Sequence, residues 1–274
     1  MSSLMKYNPF FGRKLCIGLP AKGVFFLLFC YSGLGSSCQQ PTSKTPSYKH
    51  PLQELFFSNS PQETPALVYT FNLDTVQLDL IAGNKRPLRQ ILKDSAHKSY
   101  QLLMNAGMFH SNGSPVGLFY NAQWQTTLNE DTTSKGNFFL QPNGVFYITQ
   151  QQQAGILTTA QFQQQSPNLT LQLATQSGPM LLLEGHYHPA FNPSSHSKYI
   201  RNGVGINPDG TVVFILSLQP VNFHTFASFF LEKGCVNALY LDGAISGLYH
   251  QQGGSSEGSS KQSYGPVLGV LPKR

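Results

Sequence analysis

Residues 237–249, NALYLDGAISGLY, decide how the chain is read. Leu239 and Leu241 alternate with Ala238 and Tyr240, so a strand through them is apolar on both faces and needs cover on both sides. It ends at a single carboxylate, Asp242, followed by Gly243, Ala244, Ile245 and Ser246. An Asp–Gly pair there is either an ordinary turn or a device that aims a partly desolvated acid into a cleft. In the second case its pKa is set by the balance of burial and donor hydrogen bonds.

Outward from that strand, short β-type runs dominate after Ala66, among them ALVYTFNL, VQLDLIA, GVFYIT, LTLQLAT and VVFILS. Asn143–Gly144, Glu184–Gly185 and Pro208–Asp209–Gly210 fall between such runs, where a glycine at positive φ closes a hairpin. Helical signals are fewer. Leu88, Ile91 and Leu92 are in phase within 86–99, and Phe223, Phe226, Ala227, Phe230 and Leu231 share one face within 221–234. Asn222 is placed to cap the second helix at its start and Gly234 at its end; a shorter helix is expected near 159–165. Many strands with few helices predict an α+β fold, a mixed and mainly antiparallel sheet core with a few packed helices, in a single domain over 66–274. The Gly- and Ser-rich stretch 251–263 predicts a mobile loop.

The formal charge of +6 suggests a basic protein, but Lys6, Arg13, Lys14 and Lys22 precede residue 38 and no acid does. The remainder carries 14 basic against 12 acidic side chains, too balanced for a nucleic-acid surface, which needs clustered Lys and Arg. The basic start, the apolar GVFFLLFCYSGLG and the small residues before Cys38 read as an export signal over 1–37. Gly35-Ser36-Ser37-Cys38 resembles a lipobox, with Leu34 one place further from the Cys than usual; it predicts lipidation of Cys38 and a membrane-anchored, periplasmic or cell-surface protein. Cleaved soluble export and a retained anchor are the other outcomes. Prolines at 41, 46, 51, 61 and 65 make 38–65 a disordered tether. Cys235 is then left without a disulfide partner and reads as a small buried thiol.

Acid placement is legible because only 11 percent of the chain is charged. LLMNAGMFH repeats the form seen at Asp242, an apolar run ending in Asn105, Ala106 and Gly107; an Asn there either grips a hydroxyl or makes a turn. Gln176, Ser177 and Gly178 precede a proline and another strand. Arg201, entering the Gly-rich RNGVGINP, is either a planar fork for a phosphate or carboxylate or a solvated edge residue. His186 and His188 fall on one strand face without a third ligand at zinc spacing, so no metal site is expected. No P-loop or G-x-S-x-G elbow is present.

Taken together and in order, NAGMFH with PVGLFY, GNFFLQPNGVFYI, ATQSGPMLLLEG, RNGVGINPDGTVVFILS, VNFHTFASFF and NALYLDGAISGLY resemble the phosphodiester glycosidase domain family. The likeness is to its bacterial exported branch and covers about 66–271. It implies a hydrolase of glycosyl (sugar-1-) phosphodiesters, acting on cell-wall or surface polysaccharide. The family's motifs fall on Asn105 to Gly107, on Ser177 to Pro179, on Arg201, and on Asp242, Gly243 and Ser246, with Ala244 where a second glycine is usual. In that reading Arg201 holds the phosphate bidentately and Asp242 activates water or stabilises an oxocarbenium-like centre. Asn105, Gln176, Ser177 and Ser246 position hydroxyls and the leaving oxygen, and Glu130 is the candidate second carboxylate. No cofactor is predicted, and the need for a divalent ion is open. The alternative is a lipoprotein that binds glycans in the same cleft without cleaving them. Both require Asn105, Arg201 and Asp242 to line one concave site.

Overall fold

Three sheets answer the alternation of the strands, each with one face on a shared core and the other beneath one short helix. The computed structural model describes residues 52–57, 64–95, 98–251, 254–256 and 262–273, within one unit running from Tyr48 to Arg274. The expected export signal, Cys38 and most of the tether lie outside the described residues.

The largest sheet has seven strands in the order Leu52–Phe57, Thr64–Phe71, Val212–Ser217, Asn202–Ile206, Asn237–Tyr240, Met180–Leu183 and His186–Tyr187. A five-stranded sheet runs Gly254–Ser256, Leu248–His250, Leu102–Asn105, Tyr264–Pro272 and Val76–Arg86. Four strands, Phe119–Tyr120, Leu171–Ser177, Gly144–Thr149 and Ala154–Thr158, make the third. Every pairing among the described strands is antiparallel. With three helices beside them, the expected α+β class is what forms.

Phe214, Leu216 and Leu239 of the first sheet, Leu80, Met104 and Leu268 of the second and Phe146 and Leu173 of the third meet in one buried cluster. Their opposite faces are covered separately. Helix Phe223–Glu232 sends Phe226, Phe229 and Phe230 onto Val213, Ile215 and Ala238. Leu88 and Ile91 of helix Leu88–Asp94 pack on Leu103 and Val267, and Phe162 of helix Thr159–Gln165 on Val145 and Ala174. The strand that opens the sequence reading is therefore covered as its pattern demands: Leu239 faces the common core, Ala238 and Tyr240 the helix. Gly205 makes that helix contact possible, because a Cβ there would lie 2.6 Å from both Cys235 Sγ and the Phe230 ring.

Several local expectations are corrected. Leu52–Phe57, assigned to the tether, is an edge strand paired with Thr64–Phe71; Phe57 is buried and stacks on Phe229 at 4.2 Å, an apolar gain that outweighs a proline-rich context. Gly254–Ser256, inside the expected loop, pairs with Leu248–His250. Glu184–Gly185 and Gly210 turn at positive φ as expected, but Asn143–Gly144 closes no hairpin. Asn143 is buried, donates to Phe138 O at 2.9 Å and accepts from Thr159 Oγ1 at 2.7 Å, so it anchors a turn and a helix to the strand that Gly144 begins.

Candidate active site

Asp242 is carried out of the sheet by strand Asn237–Tyr240, which lies between Asn202–Ile206 and Met180–Leu183. Leu241 N donates to Asn202 O at 3.1 Å and Asp242 N to Ala106 O at 3.0 Å, so the chain end is stitched to two neighbours before it turns. The turn, Gly243–Ile245, is a single 3-10 turn. Gly243 is required there: a Cβ would sit 2.1 Å from Tyr240 Oη.

The turn is held by Asn105, which is 1% exposed. Its Nδ2 donates to Asp242 O at 2.7 Å, and its Oδ1 accepts from Gly247 N at 2.9 Å and from Asn202 Nδ2 at 3.1 Å. Asn202 Nδ2 also donates to Asn105 O at 2.8 Å. Ser246 Oγ has three acceptors at 3.2–3.3 Å, namely Asn202 Oδ1, Gly243 O and Ile200 O. Asn105 and Ser246, expected to grip substrate hydroxyls, are thus committed to the loop that presents Asp242; a buried amide satisfies its groups where it can.

Asp242 itself is half-buried and lines a cleft of about 430 Å³. Six apolar side chains share the lining, Met108, Phe109, Val116, Phe138, Phe139 and Ile245, with Lys135, Gly136 and Asn137 completing it. Two phenols lie within the field of the carboxylate. Burial first, and the Asp242 charge after it, push Tyr264 up to about 12. Tyr240 also reaches about 12, driven by burial and by Asp242 and opposed by Arg201. Both phenols therefore stay neutral at ordinary pH.

Arg201 lies on the far side of Tyr240 and is 1% exposed. Its guanidinium carbon stands 3.8 Å from the Phe223 ring centre, 5.3 Å from that of Tyr240 and 5.4 Å from that of Tyr199. Nε donates to Val221 O at 2.7 Å and Nη2 to Ser197 O at 3.1 Å, while the buried Nη1 has no partner among the described residues. Of the donors that a bidentate phosphate fork would use, two are taken by carbonyls, and rings enclose the plane. Burial lowers its pKa, and Tyr240 counters part of that. The arrangement supplies a fixed positive charge behind Tyr240 rather than a hand reaching into the cleft.

Of Asn105, Arg201 and Asp242, expected to line one concave site, only Asp242 is among the described residues lining the cleft, and the other expected site residues divide in the same way. Gln176 spends its whole amide internally, accepting from Leu118 N at 3.0 Å and Asn129 N at 2.9 Å and donating to Asn129 O at 2.8 Å and Thr159 Oγ1 at 3.0 Å. Gly107 allows close packing on that strand, since a Cβ would lie 2.5 Å from Gln176 O. Gly178 does the same for the cleft wall, as a Cβ would meet Phe138 O at 2.6 Å. Ser177 Oγ is buried without a partner among the described residues. Glu130 is exposed, accepts from Gln163 Nε2 at 2.8 Å and borders a different groove with Phe162 and Leu169; it supplies no second carboxylate to the Asp242 cleft. The sequence reading missed Asn202, Tyr240, Tyr264 and Lys135, although Tyr240 and Asn202 flank residues it chose. No group of three or more His, Cys, Asp or Glu side chains fit to hold a metal occurs among the described residues. His188 instead bonds Gln141 O through Nε2 at 2.8 Å and accepts from Ala190 N at Nδ1 at 3.1 Å, which fixes a neutral imidazole.

Fold and site together describe an α+β protein that holds the backbone of Asp242 by hydrogen bonds at the edge of a largely apolar cleft. The pattern that defines the phosphodiester glycosidase family matches residues 98–270, and the chain belongs to that family. Over 169 residues it is 40% identical to the uncharacterized protein YigE of Escherichia coli (strain K12), a match that takes in 61% of this chain and 65% of that protein, so less than two thirds of the relative's length is spanned. The catalytic domain of zebrafish N-acetylglucosamine-1-phosphodiester alpha-N-acetylglucosaminidase, auto-inhibited by its pro-peptide, superposes with a TM-score of 0.57 at 14% identity, over 83% of this chain and 85% of that one. A hypothetical protein from Synechocystis gives 0.54 at 16% identity, over 81% of this chain and 62% of that one. At such identities the likeness establishes the fold.

Proposed function

We propose that the protein hydrolyses glycosyl phosphodiesters at the Asp242 cleft, as an exported enzyme of cell-wall or surface polysaccharide turnover. The observation that carries this reading is Asp242, the one carboxylate among the described residues lining the cleft, its backbone carbonyl held by Asn105 and its charge acting on two phenols that stay neutral. Ordinary glycosidases use a pair of carboxyl groups because an alkoxide leaves badly without a proton. A sugar 1-phosphodiester loses a phosphate monoester, which departs with little acid assistance, so one carboxylate suffices. Water oxygen bonds to the anomeric carbon and the carbon–oxygen bond to phosphate breaks, its electron pair leaving with the phosphate. Asp242 takes the water proton and returns it to solvent. The buried Arg201 charge, acting through Tyr240, offsets the negative charge gathered there.

The test is release of reducing sugar from a panel of sugar 1-phosphodiesters by the parent and by Asp242→Asn. Loss of at least a hundredfold in kcat in the variant is expected; robust turnover by Asp242→Asn removes the acid from the reaction. Glycan binding with no turnover by either protein favours a non-catalytic binder instead. The anchor is tested separately: Cys38→Ala should move the protein from the membrane to the soluble fraction.

A further inference from the structure

Resting on the hydrolase reading, we propose that the substrate's alcohol side, the group esterified to the phosphate opposite the sugar, is apolar: an alkyl, isoprenoid or aryl alcohol rather than a second sugar. A sugar ring enclosed by protein needs partners for its hydroxyls, because each one desolvated without a hydrogen bond opposes binding. Of the side chains expected to supply them three are already committed, and Asn137 is the one amide among the described residues lining the cleft. Asn105, Gln176 and Ser246 hold protein groups with their polar atoms.

What the cleft offers instead is a preformed apolar wall. Phe109 is seated over Gly265, where a Cβ would lie 2.4 Å from its ring. Phe139 is half-buried and is backed by the buried Phe138, whose ring meets it edge-on at 5.0 Å. Such fixed surfaces bind apolar groups without first having to be ordered. Among the described residues the cleft's other charged side chain is Lys135, exposed and without an ion pair. The turn before it is set by Asp131, which accepts from Thr133 N at 2.7 Å and Ser134 N at 3.1 Å. One cation and one acid beside an apolar wall match a phosphodiester with a greasy ester better than a polyhydroxylated one.

The experiment compares one sugar joined through its 1-phosphate to ethanol, n-hexanol or the 6-hydroxyl of a second sugar, using the full-length chain, Phe139→Ala and Lys135→Ala. Calorimetry with hexyl phosphate and with a sugar 6-phosphate runs alongside. The expected result is a kcat/KM roughly tenfold or more higher for hexyl than for ethyl ester. The preference should be largely erased in Phe139→Ala, and all three esters should be weakened alike in Lys135→Ala. Turnover that is equal across the esters, or best for the second sugar, overturns the proposal and leaves the hydrolase reading intact. If no ester is cleaved, the hydrolase reading falls; tighter binding of hexyl phosphate, lost in Phe139→Ala, then still supports the apolar preference, and its absence overturns that too.

Discussion

The Asn105 side chain joins three protein groups that no other side chain at that place would satisfy together, the carbonyl of Asp242, the amide of Gly247 and Asn202 Nδ2. Asn105→Ala leaves buried donors and acceptors unpaired and should lower stability by about 3 kcal/mol in urea unfolding. Turnover should fall with it because Asp242 is no longer aimed. Gln176→Ala should cost a similar amount, again about 3 kcal/mol, yet leave KM unchanged in the folded fraction, since its amide bonds only protein. A raised KM there would show that it touches substrate after all. Motif reading found both positions and assigned both to substrate hydroxyls, while the structure places both amides on protein groups. An amide is drawn alike in a sequence whether its partners are sugar hydroxyls or distant backbone, and only the long-range contacts, 137 residues apart for Asn105 and Asp242, tell them apart.

Helix Phe223–Glu232 was legible at both ends, because its Asn222 cap and its Gly234 stop are local, but its face was read slightly off: Leu231, placed on the apolar face, is exposed and Phe229 is buried instead. Asn222 Oδ1 accepts from Thr225 N at 2.8 Å, and its Nδ2 reaches Pro193 O at 2.9 Å and Ser195 O at 3.1 Å. Asn222→Ala should therefore cost about 1–2 kcal/mol, read as a lower urea midpoint. Strand Leu52–Phe57 was not legible. Its neighbouring prolines signal a tether, and the ring that claims it, Phe229, lies far along the chain. Phe57→Ala should cost about 3 kcal/mol if that edge strand belongs to the folded unit; a neutral result would return the segment to the tether.

Three sheets closing on one core give the protein a stability window bounded by its buried titrating groups. Burial lowers the pKa of His188 below 6.5, with the Gln141 carbonyl working against it. Its contribution is thus whole above pH 6.5 and is lost as pH falls toward the depressed value. Burial raises Cys235 from 9.0 to about 12, with Lys233 opposing, and raises Tyr240 and Tyr264 from 10.0 to about 12. Their contributions are whole below pH 9 and are lost as pH climbs through that range. Urea midpoints measured from pH 5 to 11 should fall at both ends, and His188→Gln should flatten the acid limb. The same burial makes Cys235 slow with thiol reagents in the folded protein and fast once it unfolds.

Periodicity, turn chemistry and caps act over a few residues, so the α+β class, the three helices and the doubly covered strand bearing Asp242 followed from letters alone. So did the family likeness, because its motifs keep their order along the chain. Which polar groups face a cleft and which face protein is settled by contacts between segments a hundred residues apart. Packing therefore turned Arg201 inward against Phe223 and Tyr240, committed Asn105 and Gln176 to other protein groups, sent Glu130 to another groove, and left Asp242 half-buried beside phenylalanines.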